Sequence, residues 1–171
     1  RCPYAMRARM ALHVSGLTYQ HREVALRDKP AAMLEASPKG TVPVFITQDG
    51  EVIDESLAIV LYALRAKDPN NWLGAFDADL TAQNDGDFKH HLDRYKYASR
   101  YNDDAARGDI DVSHRQKAEV ILDALNHTLS GQNYLSGSAQ SFTDISIFPF
   151  IRQFAAVEPE WFAARFSALS E

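Results

Sequence analysis

The only cysteine of the chain, Cys2, directly precedes Pro3 at the predicted start of a helix. Proline is tolerated in a first helical turn because its missing N–H group would have had no partner there. A thiol at this position faces the unpaired N–H groups and the positive end of the helix dipole, which favour an anion. A lone cysteine is usually a small buried hydrophobe, but this position predicts a thiolate nucleophile.

A second candidate is the pair Glu55-Ser56, which follows a short predicted strand and opens a predicted helix. Asp54 or Ser56 has the residue type that caps a helix N-terminus. The same helix start also suits a ligand carboxylate, and Glu55 can hold an ammonium group. The two interpretations, a helix cap and a binding site for a ligand end that carries both charges, are compatible.

Pro43 begins a predicted strand in the segment Thr41-Val42-Pro43-Val44. Proline cannot donate to a strand ladder, so it is tolerated where a strand starts after a turn and not in the middle of a sheet. On the residues alone, an ordinary trans proline at a strand edge is the default expectation.

The elements that must position these residues are predicted from periodicity and turn signals. In the first part of the chain these are a helix over Pro3 to Val14, a strand over Thr18 to Leu26, a small helix over Ala31 to Ala36, strands over Val42 to Thr47 and Glu51 to Ile53, and a helix over Ser56 to Lys67. The Asp-Gly step in Gln48-Asp49-Gly50 predicts that the last two strands form an antiparallel hairpin.

The cluster Asp68-Pro69-Asn70-Asn71 is the best candidate boundary, because strand patterns disappear after it. We predict a first domain over residues 1–67, a linker over 68–76 and an all-helical domain over 77–171. The patterns beyond the boundary predict helices over Asp77 to Asn102 with a weak point at Gly86, Ser113 to Leu129 and Thr143 to Val157. Ser141 and Asp144 form a variant capping box, in which Asp144 returns a hydrogen bond to the Ser141 backbone.

Composition narrows the function classes. The 171 residues carry a net charge of −5 and no basic run, which makes nucleic acid an unexpected partner. The longest apolar run, Leu57 to Leu64, is far shorter than the roughly 18 to 20 residues that cross a bilayer, so we predict no membrane span. A single cysteine excludes an intramolecular disulfide and a cysteine-based zinc cluster, and it suits a reducing, cytoplasmic compartment.

Taken together, the motifs resemble those of the glutathione S-transferase superfamily over nearly the whole chain. Cys2-Pro3-Tyr4-Ala5 resembles the C-P-Y-C site of glutaredoxins, with Ala5 in place of the second cysteine. The other matching motifs are, in chain order, Lys29-Pro30, Ser37-Pro38-x-Gly40-x-Val42-Pro43, Glu55-Ser56 and Ser141-x-x-Asp144. The cysteine-type branches, omega-like in particular, use a cysteine where other classes use tyrosine or serine.

The resemblance implies an α/β thioredoxin-like N-terminal domain, whose first strand is absent from this sequence, followed by an all-α C-terminal domain. It implies that Pro43 is cis and faces the cysteine, and that the Val42 backbone pairs with a peptide ligand. Lys29 would meet a glutathione carboxylate. The implied catalytic residue is Cys2, and the implied glutathione-binding residues are Pro3, Tyr4, Leu26, Lys29, Val42, Pro43, Glu55 and Ser56.

The function that this resemblance implies is glutathione-dependent thiol transfer by Cys2, namely deglutathionylation or the reduction of a disulfide or of dehydroascorbate. Because the chain has no second thiol, an external glutathione must release a mixed disulfide on Cys2. Two alternatives stay open: conventional conjugation of glutathione to an electrophile, and a non-catalytic interaction module. The joint presence of Cys2, Lys29, Pro43, Glu55 and Ser56 argues against the module.

The binding site for the second substrate, a small electrophile or disulfide, lies in the part of the fold with the fewest sequence motifs. Tyr97 and Tyr101 would share one helical stripe with His90 and Arg94 and are candidates for its pocket, although a solvated or interdomain face explains the spacing as well. The pair His90-His91 is assigned no metal, since adjacent helix residues point apart. We expect glutathione as substrate, no metal cofactor and, from the resemblance, a homodimer.

Overall fold

The computed structural model describes residues 2–171, and these form two compact units that divide between Leu73 and Gly74. The first unit combines helices with a small sheet, and the second unit is helical. This is the fold class that the sequence predicts. No helix of the described residues combines the length and the apolar character needed to cross a membrane.

The first unit is built on two helices that pack against each other. Helix α1 (Pro3–Ser15) begins after Cys2 with proline in its first turn, and it ends at Gly16, whose φ of 68° is left-handed and favours glycine. Helix α3 (Ser56–Ala66) contacts α1 along its length. The buried side chains of these helices are Ala8, Ala11, Leu12, Ile59, Val60, Ala63 and Leu64.

A short antiparallel hairpin precedes α3. Strand β1 (Phe45–Ile46) pairs with β2 (Val52–Ile53), with Phe45 opposite Ile53. Gly50 closes the turn with a φ of 89°, a conformation that only glycine adopts without cost. The hairpin is confirmed, with shorter strands than predicted, and the small helix α2 (Ala31–Ala36) has the predicted bounds.

The predicted strand over Thr18 to Leu26 is wrong. This segment is irregular apart from an isolated bridge between Ala25 and Asp28, and its side chains are largely exposed. A β-strand needs a neighbour for its backbone groups. Within residues 2–171 the sheet consists of β1 and β2 alone, and neither of these strands pairs with the segment.

The second unit is helical, as predicted. Its helices are α4 (Ala78–Gln83), α5 (Lys89–Lys96), α6 (Val112–Gly131), α7 (Phe142–Ala155), α8 (Pro159–Arg165) and α9 (Ser167–Ser170). The helix predicted over 77–102 is interrupted at its predicted weak point, and it ends earlier than predicted. A π-helical turn over Asn84–Phe88 contains the weak point Gly86, and α5 ends at Lys96 before a 3-10 turn over Ala98–Arg100.

Aromatic rings fill the core of the second unit. The ring of Phe154 on α7 contacts the rings of Phe88 and Tyr95 at centroid distances of 5.6 and 4.8 Å. The Tyr95 hydroxyl donates to the Glu158 carboxylate at 2.7 Å, and Arg115 donates to the same oxygen at 2.8 Å. Burial, together with this carboxylate, raises the pKa of Tyr95, so its proton stays in the hydrogen bond.

The capping box at the start of α7 is confirmed. The Ser141 backbone N–H donates to Asp144 at 2.8 Å, and the Ser141 hydroxyl donates to the same carboxylate at 2.6 Å. Asp144 also accepts from the Leu135 backbone N–H at 2.8 Å. One carboxylate therefore fixes both the helix start and the preceding loop.

Replacing Asp144 by alanine should lower the free energy of unfolding by about 2 kcal/mol, because backbone donors of Ser141 and Leu135 lose a charged acceptor together. Urea unfolding followed by circular dichroism measures the change. The matched control is Asp103→Ala, an exposed aspartate of the loop between α5 and α6. Equal effects of the two variants would contradict the role assigned to Asp144.

Candidate functional site

Cys2 occupies the N-cap position of α1. Its backbone is extended, its carbonyl accepts from the Met6 N–H at 3.1 Å, and its side chain is half-buried. The sulfur lies 3.7 Å from the carbonyl oxygen of Val42. The thiol is thus at the start of a helix, partly open to solvent and beside a backbone segment distant in the sequence.

The segment beside the thiol carries the proline that the resemblance singled out. The peptide bond between Val42 and Pro43 is cis, as the resemblance implied. Since the Val42 carbonyl approaches the Cys2 sulfur, the backbone just before this proline runs past the thiol. A peptide ligand bound to the Val42 backbone would therefore lie next to Cys2.

A buried arginine joins the start of α3 to α1. The Arg7 Nε group donates to the Ser56 hydroxyl at 2.9 Å, and the side chains are 2% and 4% exposed. Arg7 follows Cys2 by five residues, roughly 7.5 Å along a helix axis. The bond therefore links Ser56 to α1 at a residue about one and a half helical turns after Cys2. Sequence reasoning missed Arg7, because a cation in a helix normally indicates a solvated face.

A second polar network surrounds Asp54. The buried Ser37 hydroxyl donates to Asp54 at 2.7 Å, and Lys39 donates to Asp54 at 3.1 Å and to Glu55 at 2.7 Å. The hydrogen bonds from Ser37 and Lys39 lower the pKa of Asp54, and Glu55 and Asp54 raise the pKa of Lys39. Glu55 therefore already holds an ammonium group, that of Lys39, which the sequence reading did not consider.

Lys29 and Leu26 lie on the loop that leads to α2. Lys29 runs beside Gly40, whose φ is 60°, and its Nζ lies 3.4 Å from where a Cβ on that glycine would be. Lys29 makes no hydrogen bond or ion pair with any described residue, so its ammonium is available to an anion. Leu26 is 55% exposed, so more than half of its surface is open to solvent.

The first unit thus brings together a thiol, an adjacent backbone edge and two helix N-termini. Pro3 and Tyr4 form the first turn of α1, and the Arg7 guanidinium lies 5.0 Å from the Tyr4 ring centre. Such an arrangement can hold an extended peptide with a charged end and present its sulfur to Cys2.

Tyr97 and Tyr101 belong to the second unit, and the predicted helical stripe is wrong because α5 ends at Lys96. The Arg100 guanidinium lies 4.1 Å from the Tyr97 ring centre, and the Tyr97 hydroxyl accepts from Gln153 at 3.2 Å. Tyr101 is 49% exposed, with Arg94 4.4 Å from its ring centre. Their place in a substrate pocket stays a prediction.

The comparisons with known proteins agree on one superfamily. Residues 1–72 match the family described as the N-terminal domain of glutathione S-transferase. Glutathione S-transferase U19 of Arabidopsis thaliana is 29% identical over 98% of this chain and 75% of its own length. Glutathione S-transferase omega-1 of Mus musculus is 33% identical, over 36% of this chain and 25% of its own.

Solved structures give the same fold. The glutathione transferase URE2P6 of Phanerochaete chrysosporium, solved in complex with oxidized glutathione, superimposes with a TM-score of 0.80. The match covers 98% of this chain and 83% of that one at 19% sequence identity. The similarity is therefore one of fold.

The pKa of Asp54 should rise when Ser37 is replaced by alanine, since the hydroxyl is the first cause of its low value. A carboxyl whose pKa lies below its ordinary 3.8 in the folded state stabilises the fold above that pH. This contribution disappears as the pH falls through the folded-state value, and it should shrink in Ser37→Ala. A carboxyl-carbon NMR titration measures the pKa, with Ser167→Ala as control. An unchanged Asp54 midpoint in Ser37→Ala would refute the assignment.

Proposed function

Because its residues 1–72 match the N-terminal domain of glutathione S-transferase, we propose that this chain is a glutathione transferase in which Cys2 exchanges disulfides with glutathione. The observation that carries the proposal is the half-buried Cys2 thiol, at the N-terminus of α1 and 3.7 Å from the Val42 carbonyl that precedes a cis proline. A thiolate forms a disulfide, whereas a serine or tyrosine hydroxyl at this place can only stabilise the thiolate of glutathione itself.

The proposed reaction has two exchange steps. The Cys2 thiolate attacks the glutathione sulfur of a glutathionylated substrate, a Cys2–glutathione disulfide forms, and the substrate sulfur leaves as a thiolate that takes up a proton. The thiolate of a second glutathione then attacks the glutathione sulfur of this disulfide. Oxidised glutathione leaves and Cys2 returns as thiolate, so the net reaction moves the glutathionyl group from the substrate to one incoming glutathione, which is thereby oxidised while the substrate is reduced to its thiol.

The contacts around Cys2 support a binding mode for glutathione. The Val42 backbone pairs with the cysteinyl part, and Lys29 meets the glycyl carboxylate. The N-terminus of α3, with Ser56 held by Arg7, receives the γ-glutamyl carboxylate. Glu55 receives the γ-glutamyl ammonium beside Lys39, since a carboxylate accepts more than one hydrogen bond. Leu26, Pro3 and Tyr4 complete the proposed binding surface.

Conventional conjugation of glutathione to an electrophile is the second candidate. It is favoured by the extent of the similarities, because the plant glutathione S-transferase matches almost the whole chain and the omega-1 protein about a third of it. In this case Cys2 lies near the glutathione thiol without bonding to it. Tyr97 and Tyr101 remain the proposed second-substrate residues in both candidates.

Exposure of the protein to oxidised glutathione should add one glutathione to Cys2, the only cysteine of the chain. Intact-protein mass spectrometry should show this single adduct, its absence in Cys2→Ser, and its removal by reduced glutathione. The same variant should lose reduction of a glutathionylated peptide.

Two results would count against thiol transfer. If no adduct forms while glutathione still binds, and Cys2→Ser conjugates a chloronitrobenzene at the wild-type rate, the conjugating enzyme is the better assignment. If glutathione does not bind at all, the fold serves as an interaction module.

Replacing Lys29 by glutamine should raise the KM for glutathione about tenfold, which corresponds to one lost charge-assisted hydrogen bond. The kcat should change by less than about twofold, because the ammonium meets a carboxylate remote from the sulfur. Lys67→Gln is the matched control, an exposed lysine just after α3. Equal KM values for both variants, or a decrease confined to kcat, would contradict the role of Lys29 in glutathione binding.

A further inference from the structure

Three histidines meet at the surface where α5 packs against α6. His90 and His91 lie in the first turn of α5, and His114 lies in the first turn of α6. One ring nitrogen of each lies within 4.8 Å of the others. His114 comes from the next helix, 23 residues after His91, so the spacing of the adjacent pair in the sequence does not reveal it.

The geometry points to a transition-metal site formed by His90, His91 and His114. The Nδ1 atoms of His91 and His114 already face each other at 2.8 Å. In a tetrahedral zinc site with Zn–N bonds of 2.0–2.1 Å, two ligand nitrogens are about 3.3 Å apart. Small side-chain rotations therefore suffice to place an ion among the three rings, with the fourth position open to water.

The chemistry of the converging rings suits metal binding. A neutral imidazole carries a lone pair on one of its two ring nitrogens. Neutral imidazole is the form that binds zinc, copper and nickel. Two neutral rings whose nitrogens converge share one proton, and a metal ion can take the place of that proton.

The charged groups around the cluster are balanced. The negative charge of Asp111 faces His114 and that of Asp87 faces His91, while the positive charge of Lys117 faces both rings. The His90 Nδ1 lies 3.0 Å from Nη1 of Arg94, whose guanidinium also stacks on Tyr101. Arg94 thus occupies one ring nitrogen of His90, and its positive charge also acts on His114.

The test is calorimetric titration of the untagged protein with zinc chloride in a thiol-free, weakly coordinating buffer. The Cys2→Ser variant is titrated in parallel, because the thiol is a separate zinc ligand. We expect one zinc ion per chain that is retained in Cys2→Ser. His114→Gln should weaken this binding at least about tenfold. The matched control His127→Gln, on the same helix α6, should leave it unchanged.

Replacing Arg94 provides a second test, in which zinc binding should become tighter and not weaker. Arg94→Met removes a competing donor and a positive charge, and it should tighten zinc binding about three- to fivefold. Lys96→Met removes the same charge from the end of α5 and should have no such effect. A purely structural role of the histidines does not predict a gain of affinity.

Cobalt spectroscopy of the unmodified protein avoids the question of whether a variant folds. The visible absorption of bound Co²⁺ should show tetrahedral coordination by nitrogen and should disappear on addition of equimolar zinc. The proposal is overturned if no ion binds to Cys2→Ser, or if His114→Gln and His127→Gln bind zinc equally.

Discussion

The packing of α1 on α3, with the buried bond from Arg7 to Ser56 inside it, is the constraint on which the first unit depends. Small and aliphatic side chains let the two helices approach closely. A charged donor in such an interior is stable only when it is paired, because leaving it without an acceptor costs the full penalty of burial. The pairing ties the N-terminal parts of both helices together, and these are the ends that carry Cys2 and Ser56. The geometry of the thiol site thus follows from how the helix pair is packed.

The polar groups around this helix pair differ in how firmly they are held. Ser37 and Ser56 are buried. The Ser37 hydroxyl donates to Asp54 and the Ser56 hydroxyl accepts from Arg7, so both serines are held by burial as well as by hydrogen bonding. Lys39 is exposed, and its pairing with Glu55 is of the surface type that contributes little to stability. A ligand ammonium can therefore join Lys39 on Glu55 or displace it at small cost. The two buried serines are thus fixed in position, whereas the exposed pair of Lys39 and Glu55 can rearrange.

Local patterns in the sequence were sufficient for much of the fold. The apolar spacing of α3, the Asp-Gly turn of the hairpin and the Ser141 capping box each depend on residues within one turn or one helix of each other. The segment over Thr18 to Leu26 has a strand composition, but strand formation depends on a partner, which periodicity does not reveal. The same limit applies to the site. Cys2, Pro43 and Ser56 stand out by residue type, whereas Arg7 acquires its role through a buried contact with a residue 49 positions away.

Two sets of groups connect α5 with α6 in the second unit: the core around Tyr95 and the three histidines at the surface. Tyr95 on α5 and Arg115 on α6 share the Glu158 carboxylate, and Arg115 stacks on Trp161, so α5 and α6 are joined through buried and half-buried groups. His91, one turn before Tyr95, and His114, next to Arg115, bridge the same two helices by a hydrogen bond between their rings. The fold therefore holds α5 against α6 without an ion. A metal at the three histidines would bind to a surface that already exists, which distinguishes it from the structural zinc of small domains that are unfolded without their metal. Such an ion keeps an open coordination position, and that position is available to an external ligand.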